Sequence, residues 1–177
     1  MAFDILNPKT AVWPATLAGT SVLGSFALAC VFPFAAFAAL AATTMRLRTG
    51  LALVTSVWAA NQAVGFFVLS FPWDTQAVGH GISILAASLI AFGAARLTGG
   101  KIAGNIVVRG GIALVSAFIV FQILLRAYAQ FGGGAENFSF EIIRDVAIND
   151  VLWFAGLMAV HFALTRVMGK PALAAAA

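Results

Sequence analysis

The chain has 177 residues, 62% of them hydrophobic and only 9% charged, where a soluble domain carries about 25% charged residues. With a mean hydropathy of +1.02, too few polar side chains exist to cover a water-facing surface. This excludes a soluble globular domain and fits lipid as the surrounding solvent. The net charge of +4 comes from Lys and Arg scattered through short links between apolar runs, with no basic cluster interleaved with aromatics, which argues against a nucleic-acid partner.

Residues 1–16 are expected to form an interfacial lead-in, with Trp13 and Pro14 at the boundary. No signal peptide is expected, because Asp4 precedes Lys9 and the apolar run that follows is too long. A helix needs about 20 apolar residues to cross the hydrocarbon core. The first candidate span covers residues 17–42, is kinked at Pro33 and is followed by Arg46 and Arg48. Cys30 is the one cysteine, which excludes an intramolecular disulfide or a thiolate cage, and it reads as a small packing residue.

The second span, residues 51–73, places the amides Asn61 and Gln62 at its middle, with Trp58, Asn61 and Gly65 on one face. An unpartnered amide in hydrocarbon costs several kcal/mol, so this face is expected to point into the bundle. Two readings fit it: a solute-binding or pore-lining patch, or an interhelical hydrogen bond. The third span, residues 77–97, carries His80 between Gly79 and Gly81. The fourth, residues 110–129, carries Gln122 and Arg126 at i, i+4. Arg126 either snorkels to the headgroups or pairs with Asp145 or Asp150.

The stretch 131–150 is the longest outside a span. Gly132, Gly133 and Gly134 break the fourth helix, and Asn137 or Ser139 can cap a new one. Phe140, Ile143 and Ala147 mark an apolar face, and Glu141, Asp145 and Asn149 a polar one. A short amphipathic helix on the outer surface is expected, running into a fifth span at residues 148–168 that contains His161. Residues 171–177 read as a frayed tail. The expected fold is one all-α integral membrane domain of about five spans plus the short interfacial helix.

Charge sets the expected orientation. Arg46, Arg48, Arg96, Lys101, Arg109, Arg166 and Lys170 fall on one side of a five-span arrangement, and all 6 acids fall on the other. The positive-inside rule then puts the N-terminus outside and the C-terminus in the cytoplasm. The Ala- and Gly-rich usage points to a GC-rich bacterial genome and hence to the inner, plasma membrane.

On the outer side, Asp74, His80, Glu141 and Asp145 form a candidate cation site of hard oxygen ligands and an imidazole. The other reading is a solvated interfacial face. A haem held by both histidines fails on depth, because His80 and His161 differ by roughly 15 Å along their spans. Small residues at spacing four, Ala35 with Ala39, Ala38 with Ala42, and Ala87, Ala91 and Ala95, suit close helix crossings. They build either the bundle or a seam for other membrane subunits or a second copy.

No Walker A, GxSxG, HExxH, dinucleotide fingerprint or EF-hand loop is present, so nothing argues for an enzyme, and no cofactor is indicated. The leading expectation is a small-solute or ion transporter or channel component. Its substrate-binding candidates are Trp58, Asn61, Gln62, Gln122 and Arg126. The alternative is a non-catalytic accessory subunit or assembly factor of a larger membrane complex.

Overall fold

A computed structural model describes residues 32–168. The lead-in, the first part of span one with Cys30, and the tail lie outside the described residues. In chain order come α1 (Phe34–Thr44), α2 (Leu47–Ala63) continuing through a π-helical turn (Val64–Val68), α3 (Thr75–Gly99) and α4 (Ile106–Gly132). A 3-10 turn (Ala135–Phe138) then leads into α5 (Phe140–Met168). Four helices are long and apolar enough to cross a membrane: Leu47–Val68, Thr75–Gly99, Ile106–Gly132 and Phe140–Arg166. The chain is a multi-pass helical membrane protein in contact with lipid.

The fifth helix differs from expectation. Residues 32 and 33 are not helical, and α1 begins after Pro33. Proline lacks an N–H and biases the residue before it away from the α region, so α1 starts after Pro33, and the expected kink within a longer span falls partly on residues outside those described. At 11 residues, α1 spans roughly 16 Å, about half of the 30 Å hydrocarbon core. It is buried from Phe34 through Ala41 and packs against α2, α3, α4 and α5. Alanine dominates it for a steric reason: four neighbours can approach one backbone closely only where side chains are small.

The alanines at spacing four are therefore spent inside the bundle. Ala35, Ala38, Ala39, Ala91 and Ala95 are fully buried. On α3 the series extends in both directions, from Gly79 and Ser83 to Gly99, and α4 lies along this seam. A Cβ on Gly99 would sit 3.1 Å from the Arg109 carbonyl oxygen and 3.2 Å from the Ala113 Cβ, while Gly79 faces the Tyr128 hydroxyl. The Thr98 and Ser116 hydroxyls share a 2.8 Å hydrogen bond across the crossing. α3 with α4 is the most extensive helix pair.

Two span boundaries also shift. α2 starts at Leu47 and ends its π-turn at Val68, not at Trp73. Ser70 adopts φ 56° and Pro72 restricts Phe71, so the backbone leaves the helix there. The fifth span starts at Phe140, because the amphipathic segment and the span are one unbroken helix. Ser139 caps it, its hydroxyl accepting from the Ile142 N–H at 3.4 Å.

The antiparallel helices sort the charges into two ends. Arg46, Arg48, Arg96, Lys101, Arg109 and Arg166 lie at one end, and Asp74, Glu136, Glu141, Arg144 and Asp145 at the other. Arg96 donates to the Met45 carbonyl at 2.8 Å, and Arg109 to the Gly99 carbonyl at 2.8 Å. Both satisfy carbonyls at helix C-termini, where cations are favoured.

Candidate functional site

Along α5 the inward stripe runs Ile143, Ala147, Asp150, Phe154, Leu157, His161 and Leu164, at alternating spacings of four and three, while Phe140 at the head of the helix is exposed. One position in this apolar series is a carboxylate. Because α5 starts at Phe140, Asp150 lies roughly 15 Å into the helix, not at its outer mouth. It is 2% exposed.

The partner of Asp150 is the N-terminus of α1. Pro33 supplies no capping side chain and the first turn holds no acid, so after Phe34, whose N–H donates to the Phe32 carbonyl at 2.9 Å, the next N–H groups of α1 have no local side-chain acceptor. Asp150 reaches across from α5, its Oδ1 accepting from the Ala36 N–H at 3.0 Å. A carboxylate against a helix N-terminus is favoured by the aligned backbone dipoles as well as by the bond. At the other end of α1, Arg96 meets the Met45 carbonyl. The short helix is thus held between a carboxyl group and a guanidinium, both supplied by neighbouring helices.

The depth of this site follows from α4. The Phe34 ring stacks on Phe121 with centroids 5.5 Å apart. Phe121 is roughly 22 Å from the start of α4 and 16 Å from its end. The start of α1, and Asp150 with it, therefore lies near the middle of the bundle. Trp153, one turn along α5, packs 6.2 Å from Phe37, and Phe154 and Leu157 close the stripe towards the basic end.

The amides sit elsewhere. Asn61 and Gln62 are half-buried and nearer the acidic end than the middle, roughly 10 Å from the end of the π-turn. Gln62 Nε2 donates to Asn61 Oδ1 at 2.9 Å, so the amides bond each other. The interhelical bond in this region belongs to Trp58, whose Nε1 donates to the Gly81 carbonyl at 2.7 Å. Gly81 lies against the Gln62 side chain, and Gly65 against the Phe71 ring. Trp58, Gln62, Phe66, Trp73 and Gly81 line an open, mainly apolar cleft of about 360 Å³ between α2 and α3. Trp73 stacks on Phe66 at 4.1 Å.

The remaining candidates are dispersed. Gln122 is half-buried and Arg126 exposed. Arg126 pairs with neither Asp145 nor Asp150: Asp145 pairs with Arg144 at 2.9 Å on the surface, and Asp150 turns inward to α1. The two carboxylates are five positions apart on one helix, roughly 140° around its axis, so one faces the surface and the other the bundle interior. Asp74 caps α3, accepting from the Ala77 N–H at 2.7 Å. His80 is half-buried edge-on to Tyr128, with ring centroids 5.5 Å apart, and Glu141 is exposed in the first turn of α5. Among the described residues, no three of His, Cys, Asp and Glu are grouped as metal ligands would be.

The site that sequence reasoning misplaced is Asp150, counted with the outer acids. The signal was present: the apolar face marked by Phe140, Ile143 and Ala147, continued by one turn, lands on it. What the sequence did not supply was the partner, since a Phe-Pro-Phe run inside an alanine-rich stretch names no acceptor.

Fold and site together define a multi-pass helical membrane protein in which a buried carboxylate caps a short central helix. Comparisons with family models, with curated proteins and with solved structures return no match.

Proposed function

We propose that the chain is a small-solute or ion transporter, or the membrane component of one, with Asp150 as the ionisable centre of its path. The observation that carries this reading is the buried carboxylate at mid-depth against a helix that begins inside the bundle. An ionised side chain at the centre of a span costs roughly 2.5–3.5 kcal/mol even on insertion scales. A cap alone does not require that charge, because Asn or Ser accepts the same N–H. Intramembrane carboxylates facing a bundle interior mark ion and proton paths, and helices that start at mid-depth are a recurring element of transporter binding sites.

The accessory-subunit reading drew on small-residue faces as docking seams. Most of those alanines are buried against neighbouring helices, which leaves the outer face of α5 as the docking surface that reading would use. On the transport reading, the end carrying Arg46, Arg48, Lys101 and Arg109 faces the cytoplasm of a bacterial cell, and α5 ends there. Trp58, Asn61 and Gln62 then belong to the outer part of the protein.

The test is ion and solute flux into proteoliposomes under an imposed pH or alkali-cation gradient, comparing the native protein with Asp150→Asn. Asparagine keeps an oxygen for the Ala36 N–H and removes the charge. Flux is expected to fall to the level of empty vesicles while insertion and thermal stability are retained. Native flux in a folded Asp150→Asn protein removes Asp150 from the path.

A further inference from the structure

Building on the transport reading of the same site, we infer that the cation Asp150 exchanges is the proton and not a metal ion. The donors around the carboxylate decide this. Hard metal cations are held by several oxygen ligands, and in transporters unwound carbonyls and helix C-terminal ends supply them. Asp150 faces the opposite pole of a helix. The Ala36 N–H points at its Oδ1, and the positive end of α1 lies where a metal's own charge would have to sit. The carbonyl pole of α1 is at the other end, where the Met45 carbonyl is already taken by Arg96. No other Asp, Glu, His or Cys joins Asp150 in a ligand group among the described residues.

A proton needs none of this. It binds one carboxylate oxygen while the other still accepts the backbone N–H, and the neutral acid gains an O–H donor. Among the described residues, no other charged group faces the site from the helices packed on α1. α1 itself carries no ionisable side chain, and the stretches of α2 and α3 beside it contribute Val54, Val57, Ala87, Ser88, Ala91 and Phe92. On α4 the nearest charge is Arg126, which is exposed. On α5, Arg144 and Asp145 pair with each other at the surface, and His161 lies three turns away towards the basic end. Among the described residues, the titration therefore belongs to Asp150.

Infrared difference spectroscopy of the purified protein in nanodiscs tests the inference without any substrate. Acidification is expected to raise a protonated-carboxyl band that is lost in Asp150→Asn, with a midpoint that does not move when sodium or potassium replaces a bulky organic cation. A midpoint driven to lower pH by sodium or potassium overturns the inference, as does a spectrum in which Asp150→Asn removes no band. Flux measurements fail separately: an Asp150 that titrates in vesicles without transport leaves the proton site standing and removes the transport reading.

Discussion

Asp150 contributes an acceptor and a charge, and two substitutions separate them. Asp150→Ala leaves the Ala36 N–H buried without a partner, and an unmet buried donor costs about 1–3 kcal/mol. Unfolding of the purified protein in mixed micelles is expected to show a loss of that size. Asp150→Asn is expected to stay close to the native stability, because the acceptor survives. At Trp58 the prediction is smaller. Trp58→Phe removes the indole bond to the Gly81 carbonyl, and interhelical bonds in membranes are worth about 0.6 kcal/mol, rarely above 1.7. The same unfolding assay measures it. A loss of several kcal/mol there would mean that the indole holds α2 on α3 by more than one bond.

At the scale of the helix, two adjacent glycines of α4 face different surroundings. A Cβ at Gly110 would meet the Phe154 ring 2.6 Å away, whereas a Cβ at Gly111 meets nothing within 4 Å. Gly110→Ala must push a buried aromatic ring out of place, at about 1–3 kcal/mol for overpacking. Gly111→Ala gains helix propensity, up to about 1 kcal/mol. Opposite signs from neighbouring positions are the expected outcome of thermal unfolding, and equal effects would place Phe154 away from α4. These elements also show how far hydropathy carries. The length of the apolar runs found α3, α4 and the membrane-spanning part of α5. It missed the end of α2, because the exit at Ser70 and Pro72 follows a run that stays apolar to Trp73. It missed the start of α1 as well, because in an alanine-rich run hydropathy does not change where a proline begins a new helix.

For the whole molecule, the separation of basic and acidic ends predicts a single orientation. In a Cys30→Ala background, Arg48→Cys is expected to react with an impermeant thiol reagent only from the cytoplasmic side, and Glu141→Cys only from the opposite side. Labelling of both from one side would contradict the helix order itself, since α2 and α5 begin at opposite ends. The same arrangement leaves Asp150 as the buried carboxylate at mid-depth among the described residues. The amide pair lies towards the acidic end, so Asn61→Ala and Gln62→Ala are expected to reduce flux less than Asp150→Asn does in the same vesicles.

Composition and period alone determined that this chain lies in lipid as a helical bundle, because water cannot solvate so apolar a surface and the apolar runs match the thickness of a bilayer. Charge placement along the chain likewise determined which helix ends lie together. Tertiary structure alone decided what the buried groups do. Only packing shows that the alanines surround a half-length helix, that this helix begins at Pro33 without a cap of its own, and that a carboxylate more than a hundred residues later supplies one. Hydrogen bonds between distant segments leave no periodic trace, since they depend on which helix faces mate and at what depth.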